Sequence, residues 1–274
     1  MKKIFPLFYI LIISSCSISN IKFEAIKPAD INIPTEIETV AIVNRSTPKK
    51  NNVAENILDG LLSGEAPGVD KFSSNDCINS LKLKMTNSPR FNLISTIGIE
   101  FKGTGTSEMP KPLKWKKIEN NFKNYDVDAL IVLESFDSSS KVLDLGIKNR
   151  KVKVDGKWKK VIEHVAALDV EVQAGWRIYD LKNKKIIDEQ KFFDRKLFEN
   201  SDKTIVRAKK GLPKLGYAIS QAAIFSGEQF YFRVSPHYIT INREYYKNLK
   251  NIKGFKIKSD NSNNLFIKAS NFAS

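Results

Sequence analysis

The stretch Ala166–Ile178 reads Ala-Ala-Leu-Asp-Val-Glu-Val-Gln-Ala-Gly-Trp-Arg-Ile and has the clearest strand pattern in the chain. Its even-numbered positions are apolar, whereas its odd-numbered positions include Asp169, Glu171, Gln173 and Arg177. Because successive side chains of a strand point to opposite faces, we expect the even positions to face a core and the odd positions to face water. The stretch therefore predicts a β-sheet with one solvated face.

Turn signals on both sides of this stretch predict antiparallel neighbours for it. Asp155-Gly156 lies within Lys151–Val161 and is the two-residue signal of a β-hairpin. On the other side, we expect Leu181–Lys185 to turn the chain and Ile186–Phe193 to return it along the strand. The C-terminal half is therefore expected to be built on antiparallel hairpins.

Two short apolar runs in the N-terminal half, Thr39–Asn44 and Asp128–Ser135, predict strands that are buried on both faces. The segments between them predict, in chain order, helices over Val53–Leu62 and Ser74–Asn87, a strand over Phe91–Ser95, a loop over Thr96–Pro112 and a helix through Trp115, Ile118 and Phe122. This order is typical of a sheet with helical crossovers. The predicted fold class is therefore α/β (α+β), with a mixed sheet and helical crossovers in the N-terminal half and antiparallel hairpins in the C-terminal half.

The last part of the chain predicts helices followed by a weakly ordered tail. Asn200–Phe225 has helical character, with a break expected at Gly211–Pro213. The aromatic-rich Phe230–Tyr246 is expected to pack back on the core. Asn248–Ser274 is rich in Lys, Asn and Ser and weakly patterned, so we expect it to be poorly ordered.

The N-terminus has the features of a secretory signal. Lys2 and Lys3 precede the apolar run Ile4–Ile13, which is far shorter than the roughly 20 residues of a membrane-spanning helix. The run ends at Ser14-Ser15-Cys16, which resembles a bacterial lipobox. That resemblance implies a diacylglyceryl group on the Cys16 thiol, cleavage before Cys16 and acylation of the new amine with a fatty acid such as palmitate.

The leader divides the chain into a signal peptide over 1–15, a lipidated cysteine and tether over 16–35, a single α/β domain over 36–247 and a tail over 248–274. A lipid anchor predicts a location in the cell envelope. No acidic run follows the cysteine, whereas some surface-exported lipoproteins carry one. This favours a body that faces the periplasm, with the outer membrane as the favoured anchor site.

The chain is strongly basic, with a formal net charge of +15. Only eight of its 45 Lys and Arg residues are Arg, whereas phosphate and base recognition favours the forked Arg side chain. The leader also exports the chain away from nucleic acid, so we expect no nucleic-acid binding. Attraction to an anionic envelope surface is the alternative use of this charge.

Four residues are candidate binding residues. Asn44 and Arg45 follow the first buried strand, where α/β sheets place ligand sites, and Arg45 is suited to a carboxylate or phosphate. The alternative is a turn in which Arg45 pairs with a nearby Glu. Lys151 and Lys153 alternate with valines in the hairpin, and this pattern suits a clamp for an anionic polymer. Their alternative role is to protect a strand edge from pairing.

The sequence contains no recognisable catalytic, cofactor-binding or metal-binding motif. It has no nucleophile elbow, phosphate-binding loop or dinucleotide fingerprint. His164 and His237 have no ligand partner at metal-binding spacing. Cys77 lies in helical phase with Leu81 and Met85, so we expect a buried, unreactive thiol. We therefore predict no catalytic residue, cofactor or metal, and a binding role in preference to an enzymatic one.

Five motifs stand out along the chain: Val40–Ser46, Leu58–Glu65, Ser88–Phe91, Arg233–Pro236 and Arg243–Tyr246. Together they resemble an uncharacterised lipoprotein family of Bacteroidetes-type bacteria. The resemblance covers most of the chain after the leader and implies an envelope location, but that family has no assigned activity. Its members often continue into a helical, repeat-like C-terminus, a pattern that Asn248–Ser274 lacks.

The turn Ser88–Phe91 and the strand motif Tyr125–Ile131 carry a looser resemblance. They are similar to parts of the small α/β domains of envelope accessory lipoproteins. These include penicillin-binding-protein activators, the curli secretion lipoprotein and the N-terminal domain of TolB. The likeness implies the fold alone, because fold does not determine function.

The lipobox and the α/β body predict a membrane-anchored periplasmic protein with a non-enzymatic binding or accessory role. The expected partner is another envelope component, with a protein favoured. Two alternatives stay open. One is an envelope hydrolase whose carboxylate pair is assembled in space, and the other is a self-assembling outer-membrane subunit.

Overall fold

The computed structural model describes residues 18–47, 69–96, 98–99 and 101–246. The predicted signal peptide, Cys16, the helix expected over Val53–Leu62 and the tail over 248–274 lie outside the described residues. In the described part, the strands are β1 Ile18–Lys27, β2 Thr39–Asn44, β3 Asn92–Ile94, β4 Ala129–Val154, β5 Lys157–Asp180, β6 Lys185–Asp202 and β7 His237–Tyr246. The helices there are α1 Val69–Met85, α2 Trp115–Phe122, α3 Ile205–Lys210 and α4 Leu215–Val234.

These elements fall into two compact units. One unit holds β1 together with β7 from Tyr238 onward, and the two strands pair in a two-stranded sheet. The other unit spans Pro28–His237 and holds the remaining described elements. Ile33 and Ile37 belong to the core of this second unit, so core residues begin within the segment predicted as a tether.

The larger unit is built on a five-stranded sheet with the order β3-β2-β4-β5-β6. Strand β2 runs parallel to both β3 and β4, and helices α1 and α2 lie on the connections between these strands. Strands β4, β5 and β6 pair antiparallel. The predicted fold class is confirmed: crossovers build the N-terminal half of the sheet, and hairpins build the rest.

The two faces of the sheet carry separate cores, because side chains of the buried strands alternate between the faces. One core joins Val40 and Ile42 of β2 to residues of α1 and α4. In this core the Trp176 ring of β5 stacks on Phe230 of α4, with centroids 4.2 Å apart and planes 7° apart. Cys77 of α1 is fully buried here, which confirms the prediction from its helical phase.

The second core lies on the opposite face of the sheet. It contains Ala41 and Val43 of β2, and α2 contributes Ile118 and Phe122 to it. Tyr179 of β5 is fully buried in the same core. Both faces of β2 are therefore covered, as its continuous apolar run predicts.

Strand β4 is much longer than the strand predicted over Asp128–Ser135. It runs for 26 residues to Val154, and β5 pairs with it along nearly its whole length. Residues 136–150 are too polar to predict a strand by themselves, so their strand structure depends on the partner. The predicted N-terminal strand and the predicted hairpin are thus parts of one continuous element.

Several helix boundaries differ from the predictions, including the end of α4, which lies at Val234 and not at the predicted Phe225. Helix α1 begins at Val69, earlier than the predicted start at Ser74. The prediction that a helix begins at Asn200–Asp202 is wrong, because those residues end β6, where they pair with β5. The predicted break at Gly211–Pro213 is confirmed and separates α3 from α4. Among the described residues, no helix has both the length and the apolar character needed to cross a membrane.

The prediction that the odd-numbered positions of β5 face water is wrong at two residues. Asp169 and Arg177 are each only 4% exposed. Arg195 of β6 forms an ion pair with Asp169. The loop before α2 contacts Arg177, whose Nη1 donates to the Pro110 carbonyl at 2.6 Å. The alternating pattern of a strand predicts which face of the sheet a side chain is on, but it does not predict which other segments of the chain cover that face.

Candidate functional site

Asn44 ends strand β2 beside helix α1. Its Nδ2 donates to Ser74 Oγ and to Asn75 Oδ1, each at 3.0 Å. Its Oδ1 accepts hydrogen bonds from the backbone N–H and the hydroxyl of Ser46, at 2.9 and 2.7 Å. Both polar atoms of the Asn44 side chain thus form hydrogen bonds within the chain, and two of these bonds link the end of β2 to α1.

Arg45, the next residue, forms an ion pair with Glu134 of β4. Arg45 Nη1 lies 2.7 Å from Glu134 Oε2, and it also donates to the Lys111 carbonyl at 3.0 Å. Glu134 is fully buried. Arg177 Nη1 lies 3.3 Å from Glu134 Oε1, to which Tyr179 donates its hydroxyl at 2.5 Å. One buried carboxylate therefore contacts Arg45, which follows β2, and both Arg177 and Tyr179 of β5.

The charges in this cluster shift the pKa values of its members. Burial, followed by the negative charge of Glu134, raises the pKa of Tyr179 well above its ordinary value, so the phenol stays protonated. Burial disfavours the charged form of Arg177, but the hydrogen bond to Glu189 and the charge of Glu134 raise its pKa. Arg177 Nε donates to Glu189 Oε2 at 2.7 Å. Two arginines and two carboxylates thus form a neutral ionic network.

The loop before α2 fills the crevice at the carboxyl end of β2, beside Glu134 near the start of its neighbour β4. In open α/β sheets, ligands bind where the direction of the strand connections reverses. A Cβ atom at Gly103 would lie 2.3 Å from the Arg45 carbonyl oxygen and 3.1 Å from the Glu134 carbonyl oxygen. The Gly103 N–H donates to the Thr47 carbonyl at 2.9 Å. Backbone atoms of the chain itself therefore occupy the position that a ligand takes in such sheets.

A second polar group lies at the first turn of α1. Asp70 Oδ1 accepts a hydrogen bond from the Ser138 hydroxyl of β4 at 2.5 Å. Burial raises the pKa of Asp70 to about 6, against the effect of this hydrogen bond and with a contribution from the charge of Asp137. The adjoining space is only about 30 Å³, and its lining is Ser46, Thr47, Asp70, Lys71, Ser74, Gly105 and Phe136. It has room for about one water molecule.

Asp70 is expected to lower the stability of the folded chain as pH rises from about 4 to about 6. Its folded pKa of about 6 exceeds the ordinary 3.8, so the folded state holds the proton more tightly than the unfolded state in this window. Asp70→Asn should remove that slope and raise the free energy of unfolding at pH 7 by about 1–2 kcal/mol. Urea unfolding between pH 4 and 7.5 measures both effects. Equal pH slopes in the two proteins would contradict this assignment.

The open face of the sheet carries a charged cleft of about 150 Å³. Its lining consists of Ser139, Ser140, Lys141, Asp169, Glu171 and Arg195. Arg195 Nε donates to Asp169 Oδ1 at 3.2 Å, and Lys141 Nζ lies 3.5 Å from Asp169 Oδ2. The hydrogen bond from Arg195 lowers the pKa of Asp169 despite its burial. The cations of this cleft are thus already paired within the chain.

The β4–β5 hairpin extends past the end of β6 as a two-stranded projection, residues 147–164, which we name the β-arm. At its base, His164 of β5 lies between Ile147 of β4 and Asp202, the last residue of β6. Beyond this level, the strands of the β-arm pair only with each other among the described residues. Gly146, with φ of +84°, lies in a register irregularity just before the β-arm, a typical position for a bulge.

The β-arm exposes large apolar side chains beside basic ones. Trp158, Ile147 and Ile162 are 69%, 62% and 55% exposed. The tip is the Asp155-Gly156 turn, whose φ values of +51° and +77° confirm the predicted hairpin. The three apolar side chains share one face of the hairpin, and exposed apolar surface of this kind is typical of a surface that binds a partner.

The structure divides the predicted binding residues between two places. Asn44 and Arg45 are adjacent at the end of β2, where both are bonded within the chain. Lys151 and Lys153 are exposed on the β-arm. Cys16 lies outside the described residues. The described residues contain no group of three or more His, Cys, Asp or Glu side chains that could hold a metal ion.

Several residues of these sites, among them Glu134, Asp70, Ser138 and Trp158, are absent from the candidates that the sequence predicts. Glu134 lies in a predicted strand, but its partner Arg45 is 89 residues away in sequence. Ser138 is likewise 68 residues from Asp70. For Trp158 a signal did exist. It lies among lysines in a predicted hairpin strand, and an aromatic residue in that position can be exposed to water as the lysines are.

Residues 37–246 match the model of a family described as Domain of unknown function (DUF8603). The chain belongs to this family. The match includes the whole five-stranded sheet and the β-arm, so both are features of the family domain in this chain. No curated protein matches the chain.

Solved structures with similarity to the chain include two bacterial proteins. The hypothetical protein CT253 from Chlamydia trachomatis is 11% identical, with a TM-score of 0.31, and the match covers 71% of this chain and 96% of that one. A neuraminyllactose-binding hemagglutinin homolog from Helicobacter pylori is 11% identical, with a TM-score of 0.27, and the match covers 90% of this chain and 95% of that one. At these scores neither structure informs the function of this chain.

Proposed function

We propose that the chain is a lipid-anchored envelope protein with a non-enzymatic binding domain, and that the β-arm is its binding element. The observation that carries the proposal is the exposure of Trp158, Ile147 and Ile162 on a lysine-rich projection. Leaving a large apolar side chain in water costs about 1.5–3 kcal/mol relative to burying it. A partner that covers the β-arm would recover part of this free energy.

The anchor in this proposal is the acylated Cys16. Its support is the lipobox-like Ser14-Ser15-Cys16 after a short apolar run. We further propose that the chain is a lipoprotein of the Bacteroidetes type, anchored in the outer membrane with its body facing the periplasm. Several acyl chains hold a protein firmly at a membrane, because each buried methylene contributes about 0.8 kcal/mol.

An in-cell crosslinking experiment tests the proposal. The photoreactive residue benzoylphenylalanine replaces Trp158 on the β-arm or, as a matched control, Tyr217 on α4, which is 59% exposed. Because the β-arm is the proposed binding element, we expect irradiation to give crosslinks to envelope components from position 158 and few from position 217. Equal crosslinking from the two positions, or none from position 158, would contradict the role of the β-arm.

The same cells report on the anchor. We expect the wild-type chain to incorporate alkyne-palmitate and to fractionate with membranes, whereas Cys16→Ala should lose the label. A label that persists in Cys16→Ala would show that the lipid is attached elsewhere. The palmitate readout and the crosslinking readout are independent, so either half of the proposal can fail alone.

A hydrolase is the second candidate, and the pair Asp70 and Asp137 favours it. Asp70 has a pKa of about 6, and the charge of Asp137 contributes to that shift, as in sites where one carboxylate donates a proton. The adjoining space of about 30 Å³ is far smaller than ligand pockets of roughly 300 Å³ or more. Turnover of a cell-wall or lipid substrate that disappears in Asp70→Asn would favour the hydrolase over the binding domain.

A further inference from the structure

We infer that the β-arm binds the anionic headgroup surface of a phospholipid membrane. This inference rests on the proposed function in one respect, since it takes the β-arm as the binding element. It does not require the lipid at Cys16. A second copy of this chain, a protein or an anionic polymer would be a different partner, and the experiment below separates these from a membrane.

The β-arm has a strong excess of positive charge. Residues 147–164 contain seven basic and two acidic side chains, which gives a net charge of +5. One acid, Asp155, lies in the turn at the tip. The other, Glu163, has its Oε1 3.5 Å from the Nε of Arg150. The lysines of the β-arm therefore have little negative charge of their own nearby, and they attract an external anionic surface.

One face of the β-arm combines lysines with the exposed aromatic side chain. Lys151 lies directly opposite Lys160, and Lys153 lies opposite Trp158. Ile162 shares this face, because side chains two positions apart on a strand point the same way. Like charges directly opposite each other destabilise a strand pair. Anions above Lys151 and Lys160 would relieve that repulsion, so this face is suited to an anionic partner.

The residue types on the β-arm fit a membrane better than a discrete anion site. Six of its seven basic side chains are Lys, a point charge on a flexible stem, and its one Arg is Arg150. A site for a single phosphate or carboxylate group favours the Arg fork. A membrane surface instead attracts lysines diffusely through its mean potential. Trp158 and Ile162 can enter the headgroup layer while the lysine stems keep their charges at the surface.

The dimensions of the β-arm allow several headgroups to be contacted together. Each strand contributes eight residues to the β-arm, Ile147–Val154 and Lys157–His164. At about 3.3 Å per residue the β-arm is about 26 Å long. An amphipathic element of this kind binds strongly when electrostatic attraction and burial of apolar area act together. The lysine excess and the exposed Trp158 would supply these two contributions.

Vesicle flotation tests this inference with the full mature chain from Ser17 onward, exported behind an ordinary signal peptide so that it carries no acyl group. The vesicles contain phosphatidylethanolamine with phosphatidylglycerol, or neutral phosphatidylcholine alone. We expect binding to the anionic vesicles, with a blue shift of Trp fluorescence that Trp158→Phe abolishes. Each lysine near an anionic surface contributes about fivefold to partitioning, so Lys151→Gln/Lys153→Gln/Lys160→Gln should weaken binding about 100-fold.

A matched control variant removes the same charge elsewhere. Lys111 and Lys114 precede α2, Lys116 lies in its first turn, and all three are exposed. Their triple replacement by Gln should weaken vesicle binding no more than about fivefold. Equal losses in the two triple variants would overturn the inference, as would equal binding to neutral vesicles. Tight binding to soluble polyglutamate without binding to vesicles would overturn it in favour of an anionic polymer.

The outcomes also separate this inference from the proposed function. If the chain does not bind vesicles while crosslinks from position 158 persist in cells, the membrane assignment is overturned. The β-arm then remains a binding element for another partner. If both fail, the proposed function is overturned as well. Vesicle binding that depends on Lys151, Lys153 and Lys160 supports both.

Discussion

Replacement of Glu134 by Ala is expected to lower the free energy of unfolding by about 3–5 kcal/mol. The Glu134 side chain is fully buried, with Arg45 Nη1 at 2.7 Å and Arg177 Nη1 at 3.3 Å. Its removal leaves two positive charges in a protein interior with only one remaining carboxylate, and the Tyr179 hydroxyl loses its acceptor. Urea unfolding, followed by circular dichroism at neutral pH, measures this loss.

Glu189 provides the matched control, because it pairs with the same Arg177 from the protein surface. Its side chain is 45% exposed, so water can replace its contribution. Glu189→Gln should therefore cost no more than about 1 kcal/mol, the usual value of an exposed ion pair. If Glu134→Ala cost as little as Glu189→Gln, the buried network would not stabilise the fold in the way described.

Gly227→Ala is expected to lower the free energy of unfolding by about 2–3 kcal/mol. Gly227 lies on α4 where that helix contacts α1. A Cβ atom there would lie 2.2 Å from the Cys77 carbonyl oxygen and 2.2 Å from Ser80 Oγ. The Ser80 hydroxyl donates to the Ile224 carbonyl at 2.9 Å, so the added methyl would also disturb a bond between the helices. Thermal and urea unfolding of the variant measure the effect.

Gly216, near the start of the same helix, serves as the control. A Cβ atom at Gly216 would have no atom within 4 Å. Alanine is the better helix former, so Gly216→Ala should stabilise the chain by up to about 1 kcal/mol. The two substitutions are chemically identical and should have opposite signs. Destabilisation by both, to a similar extent, would point to a general need for glycine in α4 and would contradict the close contact at Gly227.

The elements that the sequence predicts well are those with a strong local pattern. The apolar run Thr39–Asn44 coincides with β2, because a strand buried on both faces is apolar throughout. The Asp155-Gly156 turn was predictable because few other dipeptides adopt two positive φ values in succession. The burial of Cys77 followed from its phase relative to Leu81, without knowledge of what covers the helix.

The elements that the sequence does not predict are those stabilised by distant partners. Ser138-Ser139-Ser140 has weak strand character, yet it lies within β4 because Val170–Val172 of β5 pair with it. Asp169 is buried through its contact with Arg195 on the next strand, and alternation alone cannot anticipate such a contact. Local preference therefore predicts the strongly patterned stretches of the sheet and fails along polar stretches such as Ser138–Ser140, where tertiary pairing decides.

The same limit applies to the candidate sites. Lys151 and Lys153 could be selected because they alternate in a hairpin, which is a local property. The sequence could not show whether Arg45 binds a ligand or pairs with a Glu of the chain, because its partner Glu134 is 89 residues further along. The pairing of Asp70 with Ser138 has no sequence signal at all, since both residue types are common.

Because a bulge at Gly146 precedes the β-arm and its strands pair only with each other among the described residues, the length of the β-arm can change without a change in the rest of the sheet. Side chains on a strand repeat every two residues, so removal of two residues from each strand would shorten the β-arm and leave Trp158 on its present face. Removal of one residue from each strand would exchange the two faces and turn the aromatic side chain away. The sheet below the bulge would need no repacking in either case. The length of the β-arm can thus change by two residues per strand while its binding face is kept. Evolution or design can alter this length independently of the domain that carries the β-arm.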